Sequence, residues 1–343
     1  LLANTTVILI QHQLGSLVPL TRALFDLGLD PERTYCIDIP YTANVKVRDG
    51  LLQLGIPRAN FARSTYHLAK PYATYQRQRV QRLLSTLRKG MTRRDRILVM
   101  DDGSYFIEAA SCYAELMPQM SVVEQTTRGV IKINKDVALQ HYCGRLPIVN
   151  VAESAPKKNI ESPLIGDVVC NALVRRLSGQ SALGKNDLVL ILGYGAIGSK
   201  VSESIQREFG VDPANIYVTD PKLSNQRRAR KAGHKIWTRN PRSRVRFKLV
   251  VGCSGTTSFT ISDRVFLEDG ALLASASSGS AELSREEFID LAETIADDDI
   301  YVKDRANLTT RPIHSDLELR LVDRDVRFLN GGFPVNFDGR VNC

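Results

Sequence analysis

An α/β fold in two domains, each built on a parallel sheet, is what this sequence predicts, and three observations predict it. Short β-rich apolar runs alternate with segments of helical spacing from one end to the other, and parallel strands need such helical crossovers between them. The 343 residues suffice for two domains at roughly 150 residues each. In the second half (188–209) an apolar strand runs through a glycine-rich turn into an amphipathic helix.

The elements follow in order. Thr6–Ile10 is a β-rich apolar run, and Leu17–Leu27 has helical spacing through Leu17, Leu20, Leu24 and Leu27. Tyr35–Ile39 is strand-like, and a helix near Val47–Leu54 is closed by Gly55 and Pro57. Pro71–Leu87 reads as a long helix with Tyr72, Tyr75, Val80, Leu83, Leu84 and Leu87 inward and its arginines outward. Ile97–Met100 is a buried strand ending in Asp101-Asp102-Gly103. A helix over Tyr105–Leu116, a strand around Ser121–Glu124 and another at Pro147–Val151 complete a first domain assigned to residues 1–160. In residues 161–343 the order is helix (Pro163–Leu177), strand (Asp187–Leu192), helix (Ile197–Phe209), strand (Asn215–Thr219), basic helix (Ser224–Ala232) and strand (Phe247–Val251). Ala271–Ala274, Ile300–Val302 and Val326–Leu329 are further strand candidates.

Composition narrows the class. Apolar residues are 43% and charged residues 24%, which excludes a largely disordered chain. No apolar run approaches the roughly 18 residues of a membrane span, and with no leading Met the first residue is expected not to be the translational start. Six scattered cysteines, no CxxC and no histidine spaced for zinc point to free thiols, no metal and a cytoplasmic protein. The net charge of +9 is uneven. Arg77–Arg96 holds eight basic residues against one acid, and Lys222–Lys248 holds eleven against none, so the remainder is acidic. Nucleic acid is one reading of such patches, but no recognisable nucleic-acid module or stacking aromatic accompanies them. A solvated helix face or a contact between subunits is the expected account.

The most specific motif is Gly193-Tyr194-Gly195-Ala196-Ile197-Gly198. A bare GxGxxG also occurs in ordinary strand-to-helix turns. Here an apolar strand precedes it, an amphipathic helix follows, and Asp220 lies 22 positions beyond Gly198 at the end of the next strand. Gly193 permits the turn, Gly195 the approach of a pyrophosphate and Gly198 the packing of helix on strand, while the N–H groups of Ala196 and Ile197 open the helix toward the phosphates. The second domain is therefore expected to be a Rossmann-type dinucleotide-binding domain. A carboxylate at Asp220 accepts from a ribose 2′-OH and favours NAD, whereas Lys222, Arg227 and Arg228 pull toward NADP; the acid is the better placed, so NAD is expected. Ser254 and Gly255, in the small-residue loop after Leu249–Val251, are candidates to approach the same ligand. A simple turn is the alternative there.

Several segments, in this order, resemble S-adenosyl-L-homocysteine hydrolase: Leu98–Gly103 (LVMDDG), Val123–Val130 (VEQTTRGV), Pro147–Lys157 (PIVNVAESAPK), Gly193–Gly198 and Phe328–Phe337 (FLNGGFPVNF). The resemblance implies two domains flanking a cleft, a homo-oligomer, and a tightly held NAD that is reduced and reoxidised within each turnover. A sugar hydroxyl is oxidised to a ketone, which acidifies the neighbouring C–H so that modest bases suffice for elimination and addition. It also implies roles for matching residues. Asp102 contacts the reacting sugar, Lys157 is the catalytic lysine, His12 belongs to the acid/base set, and Thr126, Thr127 and Asn336 contact the cofactor. Read from the residues alone, the alternatives are a turn or cap aspartate for Asp102, a solvated lysine beside Lys158 for Lys157, and a structural histidine for His12.

The departures from that pattern fall on substrate and acid/base groups. Gln125 replaces the second of two glutamates and cannot ionise. Glu161 stands for an aspartate, Ser162 for an asparagine, Gly166 for a cysteine, Ser278 for one histidine and Cys343 for another. Since each acid/base group contributes about 10²–10⁴-fold, the expectation is a related nucleoside or sugar substrate. A catalytically silent NAD- or nucleoside-binding regulator is the alternative.

Overall fold

Thr5–Gln11 forms a strand, β1, in which all seven residues are buried, as a strand covered on both faces requires. It starts one of two units seen in a computed structural model that describes residues 1–62, 64, 66, 71–137, 140–141, 144–178, 183–280, 282–297, 300–302 and 314–337. The change of unit falls between Ser154 and Ala155, a few residues ahead of the boundary expected at 160. Cys143 and Cys343 lie outside the described residues.

In the first unit β1 is followed by α1 (Leu17–Asp26), β2 (Thr34–Asp38), α2 (Val45–Gln53), β3 (Phe61–Ala62), α3 (Tyr72–Leu87), β4 (Arg96–Asp101), α4 (Tyr105–Ala110), β5 (Met120–Glu124), α5 (Thr127–Lys135) and β6 (Ile148–Asn150). The strands lie in the order β3-β2-β1-β4-β5-β6, and every pairing is parallel. The core under β1 is made by Val7, Leu9, Leu17, Val47, Leu51 and Met100. The sheet order reverses between β1 and β4, so the carboxyl ends of those two strands form a switch point, the place where open α/β sheets bind ligands.

Two local expectations are corrected in this unit. The helix expected to reach Leu116 stops at Ala110 and continues as a tighter 3₁₀ stretch over Ser111–Gln119, broken at Tyr113 (φ −132°, ψ 51°), with Pro118 inside. Not all arginines of α3 face outward: Arg79 is 5% exposed. It ion-pairs with Asp38 at the end of β2 and donates to Asp38 O at 2.6 Å, Gln76 Oε1 at 2.7 Å and Ala62 O. A guanidinium satisfied on that scale can be buried; sequence spacing does not reveal its partners.

The second unit contains α6 (Ser162–Ser178), β7 (Val189–Leu192), α7 (Ala196–Phe209), β8 (Ile216–Thr219), α8 (Leu223–Lys231), β9 (Lys235–Ile236), β10 (Phe247–Gly252), β11 (Leu267–Ser275), α9 (Arg285–Leu291), β12 (Thr294–Asp297), β13 (Ile300–Val302), β14 (Leu317–Arg320) and β15 (Asp325–Phe328). Strand order is β13-β12-β14-β15-β11-β10-β7-β8-β9. From β9 to β15 all pairings are parallel and give the 3-2-1-4-5-6 order of a Rossmann sheet, with β7 as strand 1 and β10 as strand 4. Beyond β15 the sheet turns antiparallel, so it is mixed rather than wholly parallel. The physical reason is length: a parallel return needs a crossover of a dozen or more residues, and only residues 321–324 separate β14 from β15. Val169, Leu173, Val189, Ile191, Val201 and Val251 are among its core.

Among the described residues no helix is long and apolar enough to cross a membrane, and no group of three or more His, Cys, Asp or Glu could hold a metal ion.

Candidate functional site

The switch point of the first unit gathers the residues singled out there. β1 ends at Gln11 and His12 follows; β4 ends at Asp101 and Asp102 follows; β5 ends at Glu124 and Gln125 follows. Gln11 Nε2 donates to Ile10 O and Met100 O, both at 3.2 Å, and to Gln125 Oε1 at 2.6 Å. Gln125 N–H donates in turn to Asp101 O at 3.0 Å. The amide at the place of a resemblance glutamate is therefore engaged by a second amide. Asp102 is buried, its Oδ2 accepting His12 N–H at 3.2 Å. The half-buried His12 ring lies 3.1 Å from Thr42 Oγ1 through Nδ1 and 5.6 Å from the Tyr41 ring.

One carboxylate organises this edge. Glu124 Oε1 accepts from Gly103 N–H (3.3 Å), Thr126 N–H (2.8 Å) and Thr126 O–H (2.8 Å), and Oε2 from Ser104 N–H (2.9 Å) and Ser104 O–H (2.7 Å). Ser104 adopts a left-handed conformation (φ 57°, ψ 31°) although it is not glycine. Thr126 caps α5, its Oγ1 accepting from Gly129 N–H at 3.0 Å, while Thr127 is exposed on the first turn. An added Cβ at Gly129 would overlap the Glu124 carboxyl, which explains the glycine in VEQTTRGV. Sequence reasoning misses Glu124 as a functional residue although it stands inside that motif; its spacing to Gly129 is the available signal. Beside it Asp101, fully buried, receives among the described residues only Phe106 N–H (2.7 Å) on Oδ2. Burial pushes the Asp101 acid well up, and the neighbouring Glu124 charge adds to this. Burial also raises Glu124, against the hydrogen bonds from Ser104 and Thr126.

In the second unit the glycine motif closes on its neighbours. Gly193 has φ +94°, a conformation other residues rarely adopt, and an added Cβ would lie 2.9 Å from Cys253 O and from Ser254 Cα. At Gly198 it would overlap Gly193 O; at Gly195 nothing lies within 4 Å. Two of the three glycines are filled by backbone and the middle one faces open space. The first intrahelical bond of α7 runs from Ser199 N–H to Gly195 O, so the N–H groups of Ala196, Ile197 and Gly198 precede the ladder. Asp220, at the end of β8, accepts from Tyr194 N–H (2.7 Å), Lys222 N–H (2.8 Å) and Asn225 Nδ2 (3.1 Å). It therefore clamps the glycine turn to the next strand. Arg227 and Arg228 are exposed on α8, Arg228 lying 5.7 Å above the Tyr194 ring.

The loop after β10 packs on that turn and hangs from a second buried carboxyl. Glu282, 4% exposed, accepts Ser254 N–H at 2.5 Å and Ser258 O–H at 3.3 Å on Oε1. An added Cβ at Gly252 would overlap the Glu282 side chain. Burial raises its acid. Ser254 Oγ closes a turn onto Thr256, donating to its O at 2.9 Å, and Gly255 N–H donates to Ser277 Oγ at 3.1 Å. Glu282, thirty residues beyond Gly252 in the chain, carries no sequence signal. The tail returns to the end of β11 through Val335 N–H to Ser275 O at 2.9 Å. It is pinned by Asn330, whose Nδ2 donates to Pro334 O (2.8 Å) and Phe337 O (3.0 Å). Asn336 Oδ1 is buried with no hydrogen-bond partner among the described residues.

Lys157 and Glu161 sit on a π-helical turn, Lys157–Glu161, that opens α6; such turns recur at functional sites. Lys157 Nζ donates to Glu161 Oε1 at 2.5 Å. At Gly166 an added Cβ would come 3.2 Å from the Lys200 side chain, so the glycine in place of a cysteine serves close packing of α6 on α7. Ser278 is half-buried.

No protein-family model matches the chain. Uncharacterized proteins from Mycobacterium tuberculosis strains H37Rv and CDC 1551 / Oshkosh are each 27% identical over 336 residues, covering 97% of this chain and 59% of theirs. The chain thus spans about three fifths of the length of the curated relatives it matches. Among solved structures, a dipicolinate synthase component from Bacillus halodurans aligns with TM-score 0.43 and 8% identity over 84% of this chain and 88% of that one. Its Bacillus subtilis counterpart aligns with 0.39 and 7% over 83% and 84%. CAD from Helicobacter pylori complexed with NADP(H) aligns with 0.28 and 15% over 36% and 34%. The Rossmann assignment rests on this chain's own strand order and glycine turn.

Proposed function

We propose that the chain is a divergent relative of S-adenosyl-L-homocysteine hydrolase. It uses tightly bound NAD for transient oxidation of a hydroxyl on a nucleoside or related sugar, with elimination and addition at the neighbouring carbon. The observation that carries this reading is the second unit's switch point: Gly193 and Gly198 filled by backbone, Gly195 open, and Asp220 at the next strand end. The residues fit a dinucleotide. Gly195 and the first N–H groups of α7 would hold the pyrophosphate, Asp220 a ribose hydroxyl, and the orphaned Asn336 Oδ1 would accept from the carboxamide, with Ser254 and Gly255 on the facing loop. NAD would supply a reversible hydride acceptor. A carboxylate at Asp220 repels a 2′-phosphate, which favours NAD over NADP.

Lys157 would take the proton of the hydroxyl under oxidation, with Glu161 at 2.5 Å accepting from its ammonium. Asp102 would accept from a sugar hydroxyl, and its bond from His12 N–H fixes the carboxylate for that task. His12 would exchange protons through its ring, steadied by Thr42. Thr126 and Thr127 would meet the cofactor. These roles rest on the order of motifs that resembles the hydrolase. A nucleoside-like substrate, a homo-oligomer, a cytoplasmic setting and no nucleic-acid or membrane partner belong to the same reading.

One observation favours a second reading, a catalytically silent NAD- or nucleoside-binding regulator: the amide of Gln125 is held by Gln11 at 2.6 Å where the resemblance expects a carboxylate. Mass spectrometry of small molecules released from the purified protein should find NAD. A nucleoside panel should contain one member that raises absorbance in the reduced-nicotinamide band. Failure to retain or bind any dinucleotide overturns the enzyme reading, and failure to bind any nucleoside as well overturns the regulator. Lys157→Ala separates them, since an enzyme loses turnover while a regulator keeps its ligand response.

A further inference from the structure

We infer that Asp101 and Glu124 together carry one proton at neutral pH, that it resides on Asp101, and that ionised Glu124 is the positioning residue of the first unit's switch point. Donors and acceptors decide this, whichever ligand the unit takes. Five N–H and O–H groups converge on Glu124, on both of its oxygens. An ionised carboxylate accepts only, with about four lone-pair sites; a protonated one would aim an O–H at donors that have nothing to receive it. Asp101 is the reverse case. Among the described residues its Oδ2 takes a single N–H, from Phe106 at 2.7 Å, and Oδ1 is buried with no hydrogen-bond partner. A buried anion left with one donor is far costlier than a buried acid, and ionised Glu124 as a neighbour disfavours a second charge on buried Asp101.

The charges around the pair agree. Asp102 adds a further acid beside Asp101, and Lys132 opposes it, but the Lys132 ammonium is committed to Glu108 at 2.8 Å. No arginine or lysine among the described residues forms an ion pair with Asp101 or Glu124. With Glu124 ionised, the left-handed Ser104 turn and the cap of α5 are both tied to it, and these are the segments that present Asp102 and Thr126. Gly129 is the space this arrangement requires.

The test is the infrared spectrum of protein carrying isotope-labelled aspartate carboxyls, at neutral pH. Wild type should show one protonated aspartate band, lost in Asp101→Asn and kept in Asp102→Asn. Absence of the band, or its survival in Asp101→Asn, overturns the inference. Thermal melting supplies an independent arm. Asp101→Asn, whose amide mimics a neutral acid, should change the melting temperature little. Glu124→Gln puts an N–H against Ser104 or Thr126 donors and should lower it by on the order of 10 °C. The opposite ranking of the two variants overturns it. If Glu124→Gln does not fold, the Asp101→Asn spectrum still decides.

Discussion

Alanine at Gly195 separates the stability of the second unit from its capacity to bind a dinucleotide. The backbone there has φ −74° and ψ −157°, extended values that alanine adopts freely, and an added Cβ meets nothing within 4 Å. The folded chain therefore acquires no clash. Alanine reduces the freedom of the unfolded chain, worth about 0.4–1 kcal/mol, and is a poorer helix N-cap than glycine by a similar amount. The two effects offset to within about 0.5 kcal/mol, a melting shift of only about 2 °C. Binding is different. If the open space beside Gly195 receives a pyrophosphate, the methyl group displaces it, and overpacking of that kind costs about 1–3 kcal/mol. This corresponds to about 5–150-fold weaker binding. The assay pairs a melting curve with calorimetric titration of NAD into wild type and Gly195→Ala. Unchanged NAD affinity in the variant would refute the placement. A large drop in melting temperature would show instead that Gly195 is packed.

Three further outcomes follow from the packing and burial of other residues. Gly198→Ala sets a Cβ against Gly193 O, backbone against backbone, and should lower stability by at least about 1–3 kcal/mol in urea unfolding; a wild-type midpoint contradicts the packing of α7 on β7. Arg79→Leu leaves buried Asp38 without its guanidinium and should cost about 3–5 kcal/mol, with most of it recovered in Arg79→Leu/Asp38→Leu. Denaturation curves that show no cost for the single variant would discard the buried pair. Burial pushes the Cys36 thiol up from 9.0 to about 12. Its folded pKa is above the unfolded one, so its contribution to stability is complete below pH 9.0 and fades as pH rises toward about 12. In the native protein iodoacetamide should modify exposed Cys112 well before Cys36, read by peptide mass spectrometry; equal rates contradict the burial.

The α/β class, the Rossmann order of the second unit and the glycine turn were legible because each leaves a local trace. Fully buried strands read as apolar runs. Backbone against backbone, as at Gly193 and Gly198, leaves only glycine as the solution, so contact is written into residue type. The antiparallel strands β12 and β14, the short edge strands β3 and β9 and the helices α5 and α9 left weaker traces, being short and lying among polar residues.

What the sequence by itself determined is the succession of elements and the chemistry available at their ends: Asp101, Asp102, Glu124, Asp220, Lys157 and the glycines. Only the tertiary structure decided how those groups are occupied. Gln125 lies against Gln11, Arg79 turns inward to Asp38, and Glu282 suspends the loop after Gly252. Five donors meet at Glu124 while Asp101 receives one. The reason is that a buried polar group takes its character from partners far away in the chain. A residue's ability to donate, accept or ionise is local, but whether that ability is used depends on which strands stand side by side.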